Sequence, residues 1–483
     1  MKKRLLALAF AAFAAIGLSA CGPEEGHTPG TDPSQEGFIK DPTTIYLWTT
    51  SGDSGQTLLN RWVEEFKEIE PNVTVVNVKQ SGSYNDLENM VITGFTANNY
   101  PDLVAAYPDH VADYIDYGKA VQLDDYIDNA EYGWTAEEKA DFVPAYLEEG
   151  QEYTVPGTWS LPFSKSTEAM FYNEDVLIGL NLSSVDSTIN NGNPINASYL
   201  SSLTWEELFN KLCPALLKYD AEVKDIIQPC DDGVTRVFGY DSDDNLFITL
   251  AKQYNLPYTS VNNGKGSVDF NTPEMKELLT KFHDAYENGY FTTKGANEGN
   301  YVNELFTANQ LLFSVGSTGG STYQFNSNNP MNVGVAMIPQ AENGTTSTIM
   351  QGPSMAILDH GDENRRLASW LFYKYITNED NALSWGLDST GYFPIRLSAL
   401  ENPIYLAACD ETAAQDKSLE KLLARVNNYF NDVNPYLFVS PAFKGSSTIR
   451  TQVGGLFTQA LLQDPSNFDK LFADAESASN LAL

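Results

Sequence analysis

Five aromatic side chains lie next to predicted loops and are suited to binding a ligand: Trp48, Tyr84, Tyr107, Trp159 and Tyr392. Flat aromatic rings pack against the C–H faces of sugar rings, while Asp, Asn, Arg and Ser side chains hydrogen bond with sugar hydroxyls. Aromatic residues also fill hydrophobic cores, so a single ring decides nothing. As a group, these residues indicate a site for a carbohydrate or a polyol.

Ser, Thr and Gly residues follow three predicted strands, at 48–55, 315–320 and 352–354. In open α/β sheets, ligands bind in the crevice beyond the carboxyl ends of the strands, where short hydroxyls and free backbone N–H groups reach them. The same residue types dominate ordinary turns, which is the alternative interpretation of each loop. The loop 316–320 lacks the Gly-Lys-Ser/Thr ending of a phosphate-binding loop, so no nucleotide site is predicted.

No catalytic or metal-binding pattern stands out in the sequence. Asp102 and Asp109 could flank a cleft, but a glycosidase needs two carboxyls at a defined separation, and no Ser lies in a Gly-x-Ser-x-Gly turn. The four histidines are far apart, and Cys213, Cys230 and Cys409 match no zinc spacing. We expect neither a metal nor a cofactor. A Cys213–Cys230 disulfide and reduced thiols both stay open.

The first 21 residues have the pattern of an export signal. A basic start, Lys2-Lys3-Arg4, precedes the apolar stretch Leu5–Leu18, which is too short to cross a bilayer comfortably. The ending Leu18-Ser19-Ala20-Cys21 resembles the bacterial lipoprotein signal. We therefore expect residues 1–20 to be removed, Cys21 to carry lipid (palmitate), and residues 21–40 to form a flexible tether. The protein would then lie outside the cytoplasm, held on the cell membrane by its lipid anchor only.

Chain length and net charge indicate the number of domains and the kinds of partner. A chain of 483 residues is too long for one hydrophobic core and predicts two or three domains. Its 29 Lys and Arg against 64 Asp and Glu give a net charge of −35, which repels nucleic acid and anionic lipid headgroups. We expect no nucleic-acid partner.

Hydrophobic periodicity predicts an α/β fold. The β-prone run Thr44–Trp48 precedes a helix whose apolar stripe runs from Leu58 to Ile69, and Val73–Val78 supplies the next strand. Farther along, Thr272 and Pro273 begin another helix. This β-loop-α-β alternation is typical of a parallel α/β layer.

Six segments in order resemble the extracellular solute-binding proteins of ABC importers, in the group that includes maltose-binding and glycerol-3-phosphate-binding proteins. The resemblance covers nearly the whole chain after the leader. The segments are Asn99–Val104, Leu161–Asp175, Thr204–Leu208, Phe306–Gln310, Asn364–Thr377 and Gly391–Arg396.

The resemblance implies two α/β lobes of the type II periplasmic-binding-protein kind, joined by a hinge, with the ligand buried between them on closure. Lobe one would comprise 41–161 with 353–390, and lobe two 162–352 with 391–483. The partners implied are a carbohydrate or polyol-phosphate ligand and the membrane permease with its ATPase, and we expect a monomer. An exported polysaccharide-degrading enzyme is the alternative function.

The family's cleft maps onto ten positions of this chain. The ligand-binding residues implied are Trp48, Tyr84, Asp109, Trp159, Ser166, Ser317, Gly352, Tyr392, Arg396 and Arg450.

Some details resemble the glycerol-3-phosphate binders more closely. They are Gly82-Ser83-Tyr84, the segment Pro162–Thr167 and Ile449-Arg450-Thr451. The family's Tyr-Glu after the third strand is replaced here by Tyr107-Pro108-Asp109-His110. A phosphoester and a neutral oligosaccharide both stay open as ligands.

Overall fold

The structure is a computed structural model that describes residues 37–223 and 226–483. The expected leader and Cys21 lie outside the described residues, as does the tether up to residue 36. Within the described ranges, no helix is both long and apolar enough to span a membrane.

The described residues form fourteen strands. They are β1, Thr43–Thr49; β2, Val73–Lys79; β3, Leu103–Ala106; β4, Leu161–Pro162; β5, Ser166–Asn173; β6, Phe238–Tyr240; β7, Thr259–Asn262; β8, Lys265–Val268; β9, Phe291–Thr293; β10, Phe313–Ser317; β11, Val333–Ala336; β12, Thr348–Gln351; β13, Ser354–Ile357; and β14, Leu437–Phe438.

Twenty α-helices connect and cover these strands over the same described ranges. They are α1, Asp53–Ile69; α2, Tyr84–Ala97; α3, Pro108–Asp116; α4, Asp124–Ile127; α5, Ala136–Ala140; α6, Pro144–Glu149; α7, Glu174–Leu177; α8, Ala197–Leu200; α9, Trp205–Glu207; α10, Cys213–Val223; α11, Asp243–Gln253; α12, Pro273–Glu287; α13, Val302–Thr307; α14, Glu363–Ile376; α15, Glu379–Asp388; α16, Leu397–Leu400; α17, Pro403–Ala408; α18, Leu419–Val433; α19, Ser446–Leu462; and α20, Phe468–Asn480. A π-helical turn, Leu208–Leu212, joins α9 to α10.

The first lobe is built on a five-stranded sheet in the order β2-β1-β3-β13-β4. Strand β1 pairs in parallel with β2 and β3, whereas β13 runs antiparallel to β3 and β4. The predicted stripe of α1 is buried at Leu58, Leu59, Trp62, Val63 and Phe66. The β-loop-α-β opening predicted from hydrophobic periodicity is therefore confirmed.

The second lobe is built on a seven-stranded sheet in the order β14-β12-β5-β10-β6-β9, with β11 also paired to β5. All eight residues of β5 are buried, because strands flank it and side chains cover both its faces. The predicted helix at Thr272 is confirmed as α12, where the Thr272 side chain accepts a hydrogen bond from the Met275 backbone N–H.

The chain passes between the two sheets three times. Two direct crossings, from β4 to β5 and from β12 to β13, are adjacent, and the third runs through helices α14–α18 from β13 to β14. This two-lobed α/β arrangement is the predicted fold class. The exact lobe boundaries stay a prediction. One observation bears on them, because Ile395 and Leu397 hydrogen bond with the first-lobe backbone at Val143 and Asp141, at 3.0 and 2.6 Å.

A buried ion pair fastens the two crossings together. The Lys165 ammonium, wholly buried, pairs with the Glu149 carboxylate and also donates to the Gly352 carbonyl oxygen at 3.2 Å. The Ser354 hydroxyl donates to the same carboxylate at 2.8 Å. Burial lowers the pKa of Lys165, and the adjacent Glu149 carboxylate opposes that shift.

The three cysteines in the described residues are free thiols, and Cys213 and Cys230 form no disulfide. The Cys213 thiol faces the Tyr290 carbonyl oxygen at 3.7 Å, and the Cys230 thiol faces the Gln310 carbonyl oxygen at 3.9 Å.

Replacing Lys165 with Met should destabilise the protein by about 3–5 kcal/mol, because Glu149 would keep a buried charge without its partner. Urea unfolding measures the loss. The matched control is Lys139→Met, which removes an exposed pair with Asp128 and should cost less than about 1 kcal/mol. Equal, small losses in both variants would show that the crossing does not depend on this pair.

Candidate functional site

A cavity of about 660 Å³ lies between the two lobes. The first lobe contributes six of its lining residues: Ser83, Tyr84, Asn85, Tyr107, Asp109 and His110. The second lobe and the crossings contribute the others, which are Glu168, Asp241, Ser242, Asp244, Asn245, Lys294, Tyr301, Asn303, Glu304, Gly316, Ser317, Gly319, Gly320, Tyr323, Gln324, Gln351, Tyr392 and Arg450.

The first-lobe residues follow two parallel strands. Ser83 caps α2 after β2, with a reciprocal hydrogen-bond pair between Ser83 and Asp86, and this places Tyr84 at the first helical position. Tyr107 caps α3 after β3, and Pro108 at the next position fixes the start of that helix. Both turns lie at the carboxyl edge of the sheet, the edge at which ligands bind in open α/β folds.

The second-lobe residues likewise follow strand ends. Ser317 ends β10, and the 3-10 turn Thr318–Gln324 continues along the cavity. Asp241 and Ser242 lie between β6 and α11. A Cβ added at Gly319 would lie 2.8 Å from the Tyr392 ring, so this turn packs directly on that ring.

Tyrosine rings occupy both the interior and the mouth of the cavity. Tyr84 and Tyr107 meet edge to face, with ring centroids 5.1 Å apart. At the mouth, Tyr323 is 72% exposed and Tyr301 is 52% exposed. Because both rings also line the cavity, they offer a ligand exposed aromatic faces for stacking.

The floor of the cavity carries buried carboxyl groups. Glu168 is 1% exposed and accepts hydrogen bonds from the Tyr240 hydroxyl, from Asn245 at 3.1 Å and from Gln351 at 3.3 Å. Burial raises the pKa of Glu168 to about 8, against the effect of its hydrogen bonds. Burial also raises the pKa of Asp241 to about 7.

Arg450 reaches the cavity from α19 with its guanidinium already paired. Its Nε donates to Asp244 Oδ2 at 2.8 Å, and a terminal nitrogen donates to Asn245 Oδ1. Burial alone would lower the pKa of Arg450, but the carboxylates of Asp244 and Asp109 outweigh burial, so the pKa of Arg450 is raised. Asn245 thus joins Arg450 to Glu168 in one network.

Beside the cavity, α19 of the second lobe meets α2 and α3 of the first. The Ser447 hydroxyl donates to Glu88 Oε2 at 2.7 Å, and the Gly445 N–H donates to Asp113 Oδ1 at 2.9 Å. Burial raises the pKa of Glu88 to about 8, and the nearby carboxylates of Asp109 and Asp113 add to the shift. Burial also raises the pKa of Asp113.

Of the residues implied by the family resemblance, the structure brings five together at the cavity: Tyr84, Asp109, Ser317, Tyr392 and Arg450. The other five lie elsewhere. Trp48 and Trp159 pack against a small first-lobe core that includes Leu87 and Val91.

The other three residues, Ser166, Gly352 and Arg396, contact only other parts of the fold and do not line the cavity. Ser166 is buried in β5, and its hydroxyl accepts a hydrogen bond from Ser317 at 3.2 Å. Gly352 adopts φ +83° at the crossing, where a Cβ would collide with the Ser164 carbonyl oxygen. Arg396 is buried and donates to the backbone carbonyls of Thr377 and Glu138 in the first lobe.

Sequence reasoning missed Glu168 and the run from Asp241 to Asn245. The run has a usable signal, because polar residues follow the strand Phe238–Tyr240 and precede a helix. Glu168 has none, since it lies inside a continuous buried strand. The described residues contain no group of three or more His, Cys, Asp or Glu side chains that could hold a metal ion.

Two lobes joined by adjacent crossings, with a polar and aromatic cavity between them, define the class of two-lobed binding proteins. The family of bacterial extracellular solute-binding proteins matches residues 61–416 of this chain. The chain belongs to this family, whose members bind substrates for ABC importers and are not enzymes.

Curated relatives are similar to this chain over most of its length. The sn-glycerol-3-phosphate-binding periplasmic protein UgpB of Salmonella typhimurium (strain LT2) is 22% identical over 370 residues, covering 74% of this chain and 76% of UgpB. UgpB of Escherichia coli K12 has the same identity and coverage.

Three solved structures share the fold. The GacH receptor of Streptomyces glaucescens GLA.O, solved unliganded and with acarbose, has a TM-score of 0.65 at 16% identity, covering 92% of this chain and 99% of the receptor. Maltose-bound T. maritima MalE3 has a TM-score of 0.66 at 15% identity, covering 91% of this chain and 100% of MalE3. UgpB from Mycobacterium tuberculosis in complex with glycerophosphocholine has a TM-score of 0.64 at 16% identity, covering 91% of this chain and 98% of that UgpB.

Replacing Glu88 with Gln should flatten the pH dependence of stability. The folded protein holds the Glu88 proton up to about pH 8, whereas an unfolded glutamate loses it near its ordinary value of 4.5. This group therefore makes stability fall as pH rises through that window, by up to about 1.4 kcal/mol per pH unit.

Urea unfolding at pH 5.5, 6.5 and 7.5 measures the slope for the wild type, for Glu88→Gln and for the exposed control Glu64→Gln. We expect the slope to change in Glu88→Gln only. An unchanged slope in that variant would contradict the retained proton.

Proposed function

We propose that this protein captures a carbohydrate-type solute between its lobes and delivers it to the permease of an ABC importer. The observation that carries the proposal is the interlobe cavity, which combines tyrosine rings with carboxyl, amide and hydroxyl groups from both lobes. Rings provide stacking surfaces and polar groups provide hydrogen bonds, the combination that a sugar requires.

The similar proteins support the same class of ligand. These proteins are named for, or were solved with, acarbose, maltose, sn-glycerol 3-phosphate and glycerophosphocholine, all rich in oxygen. In this proposal the ligand shifts a hinge equilibrium, because it contacts both lobes only when they are closed. The permease, coupled to its ATPase, then recognises the closed form.

The predicted lipid anchor completes the proposal. Acylation at Cys21 would keep the protein at the outer side of the cell membrane while the tether gives it reach. In Cys21→Ser the thiol that accepts lipid is absent, so labelled palmitate should not be incorporated. Incorporation into that variant would rule out the anchor. We further propose that the protein acts as a monomer.

A thermal-shift screen over mono-, di- and oligosaccharides and glycerol phosphates identifies the ligand, because a compound that binds only the folded state raises its melting temperature. Absence of any shift across this set would count against a carbohydrate-type solute.

Tyr323→Ala should weaken binding of that ligand roughly tenfold, since an aromatic contact contributes about 0.5–1.5 kcal/mol beyond the burial of its surface. Calorimetry measures the change. The control is Tyr117→Ala, which removes another exposed tyrosine ring, 55% exposed, outside the cavity lining. Indistinguishable affinities of the two variants would show that the ligand does not reach Tyr323.

A further inference from the structure

The charge of the cavity lining is unsuited to an anion. Five carboxyl groups line it, against two cationic side chains, Lys294 and Arg450. Burial raises the pKa of two of these carboxyls, Glu168 and Asp241, and the other three still outnumber the cations. Burial lowers the pKa of His110, which favours the neutral imidazole and adds no third cation to the lining. A phosphate entering this cavity would approach more negative than positive groups at short range, where Coulomb repulsion is weakly screened.

Both cations are already engaged. Arg450 donates to Asp244 Oδ2 at 2.8 Å and to the Asn245 amide oxygen. The Lys294 ammonium lies 3.7 Å from the centre of the Tyr301 ring and beside the Asp241 carboxyl. Recognition of phosphate by arginine ordinarily uses two parallel N–H donors, whereas two of the five donors of Arg450 already bind Asp244 and Asn245, and the Asp244 carboxylate beside the guanidinium repels an anion.

The floor instead offers acceptors that lack donors. The side-chain oxygens Gln324 Oε1 and Gln351 Oε1 are buried without a hydrogen-bond partner. The Gln351 amide nitrogen donates to Glu168 at 3.3 Å. Asp241 accepts from the Val302 N–H through Oδ1 at 2.7 Å.

Asp241 and Gln324 lie close together beside Gly316. A Cβ added at Gly316 would lie 2.9 Å from Asp241 Oδ2 and 3.0 Å from the Gln324 amide nitrogen. Buried acceptors without donors are costly, so a ligand group that reaches Gln324 Oε1 or Gln351 Oε1 gains most if it donates hydrogen bonds. Hydroxyl groups donate, whereas a phosphate dianion only accepts.

We propose that the cavity selects a neutral polyhydroxyl solute and rejects its phosphate esters, with Asp244 and Asn245 holding Arg450 as an internally neutralised positioning residue. The inference rests on the proposed function and narrows it. It also separates this chain from its relatives named for sn-glycerol 3-phosphate, although it shares 22% identity with them.

The experiment compares neutral compounds with phosphate esters by calorimetry on the wild-type protein. The probes are glycerol, glucose, maltose and maltotriose against sn-glycerol 3-phosphate, glycerophosphocholine and glucose 6-phosphate. We expect a neutral carbohydrate to bind at least a hundredfold more tightly than any of the esters. An ester that binds as tightly as the best neutral compound overturns this inference and leaves the proposed function standing. No binding by any probe overturns both.

A variant tests the role of Asp244 directly. Asp244→Asn removes the carboxylate from Arg450, so the ratio of ester affinity to neutral-sugar affinity should rise at least tenfold. Glu304→Gln, at the exposed rim of the cavity, changes the net charge equally without freeing Arg450, and its ratio should change less than threefold. Thermal unfolding confirms that both variants fold.

Equal ratios in the two variants would mean that Asp244 acts only through total charge, which overturns the assigned role of Asp244. A ratio of ester affinity to neutral-sugar affinity that is lower in Asp244→Asn than in the wild type would also overturn the assigned role of Asp244.

Discussion

The position of the two lobes depends on one buried ion pair, Lys165 with Glu149. Neither charge can stay buried alone, because the cost of desolvating each is repaid only by its partner and by further hydrogen bonds. The pair ties α6 of the first lobe to both chain crossings, through the Gly352 carbonyl and the Ser354 hydroxyl. A movement that separated the two crossings would leave Lys165 or Glu149 buried without its partner. The crossings therefore form a fixed pivot.

The cavity follows from that pivot. Strand β5 begins one residue after Lys165 and carries Glu168 into the cavity floor, while β12 ends at Gln351 one residue before Gly352. Gln351 donates to Glu168, so the two crossing strands deliver one hydrogen-bonded unit to the site. Asn245 extends this unit to Arg450. Glu168 and Gln351 thus lie on the same strands, β5 and β12, that lead into the pivot, so the proposed closure around a solute would not require the floor to be rebuilt.

Much of the fold could be predicted from the sequence, because amphipathic periodicity marks α1 and α12 and β-branched runs mark β1 and β2. Tyr84, Asp109 and Ser317 could also be predicted, since each lies at or just after the end of a strand, where ligands bind in open α/β folds. Trp48 and Trp159 show the limit, because the sequence does not reveal whether an aromatic ring faces a cavity or a core, and these two face a core. Arg396 shows a second limit of prediction from sequence, because its partners Glu138 and Thr377 are distant in sequence and become adjacent only after folding.

The central claim is that the two lobes close on a solute about the Lys165–Glu149 pivot. Small-angle X-ray scattering of the purified protein tests it most directly, with and without the ligand identified by thermal shift. The account predicts a smaller radius of gyration at saturating ligand, because the lobes spend more time closed. A radius of gyration that stays the same while calorimetry shows full occupancy would contradict closure.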